Sequence, residues 1–178
     1  MIIEIDGIKF LSGQPGKICA KLSKGILYEG EMLRFIKTLN IEGECVDIGA
    51  CMGVHSMYFA VVLGKKVYAF DKEHELFRTH MSINKVGDKI TYIDKYLLPP
   101  TKLIDIVSDK IGIIKIDVDG SDEIDVLTSC KEVIERDSPH IFIEARDLEK
   151  RDQIDRFLSD YVRLEVFNST PTYHYERI

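Results

Sequence analysis

The sequence has no long apolar run, no basic excess, no paired-cysteine motif and no low-complexity tract, and each absence removes a class of protein. Its longest uncharged apolar stretch, near Met57 to Gly64, falls far short of the roughly 20 residues that span a bilayer, so no membrane insertion is expected. The opening MIIEID carries acids where a secretory signal carries positive charge, and a soluble, cytoplasmic protein is the expectation. With 24 Lys plus Arg against 30 Asp plus Glu, the formal charge is −6. No broad basic field exists to gather phosphates, which makes nucleic acid a weaker default partner than a small or neutral molecule. Cys19, Cys45, Cys51 and Cys130 show neither CxxC nor Cys/His spacing, so neither zinc nor a disulfide framework is indicated. Without repeat or linker, the 178 residues read as one domain, long enough to bury roughly two thirds of its unfolded surface. Within it, residues 1–26 form an N-terminal flap and residues 27–178 the core.

What is present is alternation. Apolar residues flanking Asp6-Gly7 within Ile2 to Leu11 signal a short hairpin. Between Leu27 and Leu39, the residues Met32, Phe35, Ile36 and Leu39 share one helical face. Strand patterns then fall at Cys45 to Ile48, Lys66 to Phe70, Lys89 to Ile93, Ile111 to Ile116 and His140 to Ile143. Helical patterns lie between them at Val54 to Leu63, Glu73 to Asn84, Thr101 to Ser108 and Ser121 to Arg136. Short apolar strands separated by helices mean an α/β fold, with a mostly parallel sheet covered on both faces. A charged helix, about Leu148 to Leu158, precedes YVRLEVF and TYHYERI. The last two read as an antiparallel hairpin at the sheet's edge.

The stretch VDIGACMGVHS, Val46 to Ser56, is a buried strand breaking into a glycine turn before a helix. In an open parallel sheet such a turn marks the ligand site beyond the carboxyl ends of the strands. A dinucleotide fingerprint fails here, because Cys51 and Val54 stand where its second and third glycines belong. Asp47, at the strand end, would repel phosphate but suits a ligand with an ammonium and a sulfonium. S-adenosylmethionine carries both charges and no phosphate. The next strand ends in Asp71, 22 residues after Gly49, at about the distance where an acid accepts both ribose hydroxyls.

Four segments, ILYEGEMLRFIKTLNIEGECVDIGACMGVHSMYFA, VYAFDKEHELF, IGIIKIDVDGSDEIDVL and PHIFIEAR, together resemble the FkbM-type class I methyltransferases, in matching order. Among them KIDVDG is the most family-specific piece. The resemblance implies a seven-stranded Rossmann-like sheet with a reversed last strand, and S-adenosylmethionine as cofactor. By position it implies that Asp47, Gly49 and Gly53 shape the methionine end of the site, with Ala50 and Cys51 in the same cofactor-binding turn, that Asp71 holds the ribose, and that Glu29 is the acid before the first core strand. His55 lies beside this site in the first helical turn, and Asp94 is a candidate for the adenine edge. Cys51 departs from the Asn that usually follows Gly-Ala in the family.

Methyl transfer to a hydroxyl needs alignment and a proton acceptor. Lys115 and Asp117 share a strand face by the period of two, Asp119 continues into the loop, and Glu144 ends the fifth strand. These acids read either as general-base candidates or as oxygen ligands for Mg²⁺ or Mn²⁺. His55 and His174 are further base candidates, with wall and packing roles as the alternatives, and Tyr173 and Tyr175 are candidates for an acceptor platform. The leading expectation is an O-methyltransferase acting on a sugar or glycan hydroxyl, as the resemblance suggests. The alternatives are RNA ribose 2′-O-methylation, for which Lys24, Asp117 and Glu165 offer a partial catalytic set, and a cofactor-binding scaffold without turnover.

Overall fold

The structure, a computed structural model, describes residues 1–72, 74–118 and 123–178. Asp119 and Asp122, with Ser121 and Glu73, lie outside the described residues. The N-terminal hairpin pairs β1 (Ile2–Ile5) with β2 (Ile8–Leu11), and Asp6 and Gly7 both take positive φ at its turn. Seven further strands form the main sheet: β3 (Glu44–Ile48), β4 (Val67–Asp71), β5 (Ile90–Asp94), β6 (Ile111–Ile116), β7 (His140–Glu144), β8 (Tyr161–Phe167) and β9 (Thr172–Arg177). Their order is β5-β4-β3-β6-β7-β9-β8. Strands β3 to β7 pair in parallel, and β9 runs antiparallel between β7 and β8. The chain runs outward from β3 to β5 and then returns to place β6 on the other side of β3, so the topological switch lies between β3 and β6.

Period-two alternation sends each core strand's side chains to two separate cores. Cys45, Ala69, Ile113 and Phe142 face one core, with α2 (Gly30–Thr38), α3 (Val54–Val61) and the hairpin. Val46, Ile48, Phe70, Ile114, Ile116, Ile141 and Ile143 face the other, with α5 (Glu123–Asp137) and α6 (Leu148–Phe157). Burial on both faces is why these strands read as continuous apolar runs. The two remaining helices are α4 (Glu75–Asn84), between β4 and β5, and α1 (Lys17–Leu22), in the flap. Among the described residues, no helix is long and apolar enough to cross a membrane.

One expected element is corrected, and two features go beyond what was expected. The helix expected over Thr101 to Ser108 is a single 3₁₀ turn, Leu103–Asp105, which plugs Leu103 and Val107 beneath the sheet. Its Ile104, Ile106 and Val107 are β-branched and disfavour helix propagation. Helix α1 was not expected; at six residues it is too short to show a period. The charged helix α6 bonds mostly outward: Asp155 accepts from Arg163 and Tyr175, and Lys150 lies 3.8 Å from Glu123.

His80 also holds more than sequence suggested. It is fully buried on α4, with Nδ1 2.8 Å from the Met52 carbonyl and Nε2 accepting the Leu11 N–H at 3.1 Å. One neutral ring therefore ties the hairpin to the glycine turn.

Candidate active site

The turn after β3 is shaped by backbone conformation. Gly49, Cys51 and Gly53 take φ of 79°, 49° and 88°, in the left-handed region that glycine enters freely and L-residues enter at a cost. Gly49 has a second constraint, since a Cβ there would stand 1.7 Å from the Asp117 carbonyl oxygen. At Gly53 a Cβ would meet the Phe77 ring at 2.8 Å. Both glycines thus allow close packing of the chain itself.

The turn opens onto a cleft of about 650 Å³ at the carboxyl ends of β3, β4, β6 and β7, the position ligands take over a topological switch. Of the expected site residues, Gly49, Ala50, Cys51, His55, Asp71, Lys115, Asp117 and Glu144 line it. Asp47, Gly53, Glu29 and Asp94 do not. Asp47 lies within β3 rather than free at its end: it is fully buried, accepts the Ser56 hydroxyl at 2.5 Å and stands in register with Lys115 across the ladder. Asp94 is exposed at the tip of β5, beside Asp71 in register. Glu29 takes φ 52° just before α2 and reaches back beneath the cleft to His55.

Lys115 is the electrostatic centre. Its ammonium is buried, 3.2 Å from Asp117 Oδ2 and 4.0 Å from Asp47 Oδ1. Burial alone would push its pKa down, but Asp117, Asp47 and Glu29 outweigh that and hold it above the usual lysine value. Lys115 in turn holds the Asp117 carboxyl below its ordinary range against the opposing effect of burial. The Glu29 carboxyl is also low: burial raises it, and His55 and Lys115 more than reverse this. Glu29 Oε2 and His55 Nε2 approach to 3.0 Å, and neither atom has another hydrogen-bond partner. Asp47 Oδ1 has no hydrogen-bond partner either. Asp117 at the cleft floor, with Asp47 and Glu29 packed beneath it, therefore surrounds the buried Lys115 ammonium with carboxylates.

Glu144 behaves in the opposite way. Burial, reinforced by Asp117, pushes its pKa up to about 7, with Arg146 acting against the shift from 3.5 Å. An acid poised there can exchange a proton near neutral pH. Asp71 presents both carboxylate oxygens at the rim, one accepting the Cys51 N–H at 2.6 Å and the other the Lys72 N–H at 2.7 Å. Each oxygen keeps a lone pair for a further donor.

Sequence reasoning missed Tyr28, His74, Tyr96 and Arg146, which also line the cleft. Tyr28 and Arg146 stand one and two residues from acids that were singled out; His74 and Tyr96 lie in connections where no periodicity points. His174, a base candidate, is buried under Phe142 and Phe35 instead, and burial holds its pKa down to about 4. Tyr173 and Tyr175 pack against the α5 and α6 side. None of these three lines the cleft.

No protein-family profile and no curated protein matches the sequence, but solved structures match its fold. The methyltransferase FkbM of Methylobacillus flagellatus KT superposes with a TM-score of 0.64 at 21% identity, over 79% of this chain and 45% of that one. The fold is the Rossmann-like methyltransferase fold. An rRNA methylase of Streptococcus thermophilus gives 0.62 at 18% identity, over 83% of this chain and 95% of that one. Fibrillarin of Aeropyrum pernix, solved with natively bound S-adenosylmethionine, gives 0.62 at 12% identity, over 84% and 74%. The chain thus spans less than half the length of the FkbM protein, while the methyltransferase fold accommodates quite different proteins.

Proposed function

We propose that the chain is an S-adenosylmethionine-dependent O-methyltransferase, and that its acceptor is a sugar or glycan hydroxyl. The observation that carries the first part is a cleft over the topological switch with Asp117 held ionised at its floor and both oxygens of Asp71 presented at its rim. A ligand bearing a sulfonium and an ammonium suits a floor with an ionised Asp117, and its ribose diol can donate to the two oxygens of Asp71. The residues present therefore fit the cofactor, which when bound supplies a methyl group on a positively charged sulfur. Around it, Lys115 keeps Asp117 ionised and fixed, and the buried Asp47–Ser56 bond anchors the start of α3. Gly49 lets the turn close on the Asp117 carbonyl. Glu144, poised near neutral pH, would take the acceptor's hydroxyl proton.

The resemblance carried by KIDVDG is what suggests the acceptor class. Of the set suggested for RNA ribose methylation, only Asp117 lines the cleft; Lys24 sits in the turn after α1 and Glu165 on the edge strand β8. A metal-assisted route has little support from the donor set. Asp117 is turned onto Lys115, Asp119 lies outside the described residues, and no three-donor group converges at the cleft among the described residues.

The test is transfer of labelled methyl from S-adenosylmethionine across a panel of glycans, with capped RNA as a parallel substrate and each arm run with and without EDTA. Incorporation into a glycan, insensitive to EDTA, is the expected result. Incorporation into RNA alone would replace the acceptor class, and cofactor binding with no transfer in any arm would favour a scaffold.

A further inference from the structure

We propose that His140, His174 and Glu176 form a zinc site that clamps β7 to β9. The site is far from the cleft in sheet terms: His140 begins β7 and Glu144 ends it. Strands β7 and β9 run antiparallel with Ile141 opposite Tyr175 and Phe142 opposite His174. Carrying that register one residue onward sets His140 beside Glu176. Period-two alternation then puts all three side chains on one face of the sheet.

Their donor atoms converge. His140 Nδ1 and His174 Nε2 stand 3.1 Å apart, and one donor atom from each of the three residues lies within 4.8 Å of the other two. Two nitrogens bound to one zinc at about 2.0–2.1 Å in tetrahedral geometry stand roughly 3.3 Å apart, so the imidazole pair needs only a slight spreading to accept the ion. Glu176 is exposed and free to swing its carboxylate in. Two imidazoles and one carboxylate are a borderline-soft donor set that suits Zn²⁺ better than Mg²⁺ or Ca²⁺.

The surroundings fix what a ligand ring needs fixed. His174 stacks on Phe142 at 4.5 Å with the planes 3° apart, and Phe35 meets its edge at 5.5 Å, so the ring cannot turn away. Its Nδ1 is buried with no partner, and its Nε2 shares with His140 Nδ1 a hydrogen bond whose donor depends on the tautomers, a bond the zinc would replace. His140 is half-buried and Glu176 exposed, which gives the ion a path from solvent. In the bound form the His140 proton lies on Nε2 and the His174 proton on Nδ1. A clamp here would tie the antiparallel C-terminal hairpin to the parallel core at the β7/β9 pairing that joins them in the sheet.

The experiment uses the full chain without a histidine tag, freed of metal by EDTA and dialysis. Zn²⁺ is titrated calorimetrically, and Co²⁺ is followed by its visible absorption. The expected result is a single zinc equivalent, with a melting temperature raised by about 5 °C or more at a hundredfold excess over Kd. The solvent-accessible variants His140→Ala and Glu176→Gln should each weaken zinc by about tenfold or more, whereas Asp117→Asn in the cleft should leave it unchanged. Absence of stoichiometric binding overturns the proposal, as does zinc binding that survives His140→Ala and Glu176→Gln together.

Discussion

Replacing Glu144 with Gln tests the electrostatics of the cleft without introducing any charge. The carboxyl is raised from 4.5 to about 7, and its side chain is 13% exposed. A shift of this size corresponds to a ceiling of about 3 kcal/mol, which residual solvent access and relaxation reduce to about 1–2 kcal/mol. The sign follows from the native state binding the proton more tightly. Glu144 therefore stabilises the fold fully below about pH 4.5, and that contribution is lost as pH rises through about 7. Glutamine cannot ionise, so Glu144→Gln should gain on the wild type across this window. For a chain of this length the gain amounts to a relative rise in melting temperature of about 2–8 °C between pH 4.5 and 8.5. Thermal melts of both proteins at half-unit pH intervals measure it. Parallel curves, with no change in their separation, would refute the reasoning. Because Asp117 contributes to the shift, the same comparison in an Asp117→Asn background should move the step to lower pH.

Gly49→Ala should destabilise by about 3 kcal/mol or more, because the new methyl meets a backbone carbonyl at φ 79° and both strain and overlap must be relieved; chemical denaturation reads this, and a loss under 1 kcal/mol would show that the turn is not held against Asp117. His80→Ala should cost about 2 kcal/mol and speed hydrogen exchange at the Leu11 amide, since it removes the acceptor of that N–H. Burial lowers the His80 pKa, so its contribution is present above about pH 6.5 and fades as pH falls below it; exchange at Leu11 that is flat from pH 7 to 5, after correction for intrinsic rates, would contradict the bridge.

Much of the frame was legible because its signals are local. The apolar runs of β3, β6 and β7 are bounded by turns, and doubly buried strands leave little else for such runs to be. The glycine turn announced the cleft, and the spacing from Gly49 to Asp71 announced its rim. What escaped depends on pairing between distant segments. That Asp47 faces Lys115 follows from the β3/β6 register, which no single stretch encodes, and it turns an expected rim acid into part of a buried charge network. His80 serves residues 69 and 28 positions away, so its neighbours in sequence say nothing of its work. Sequence also gave no reason to set His174 beside His140, 34 residues earlier.

Calorimetric titration with S-adenosylmethionine, on the wild type and on Asp71→Ala, tests the central claim most directly. Saturable binding at one site, weakened by about tenfold or more when Asp71 loses its carboxylate, is the predicted result. No detectable heat with the wild type, or equal affinity in the two proteins, would contradict the account.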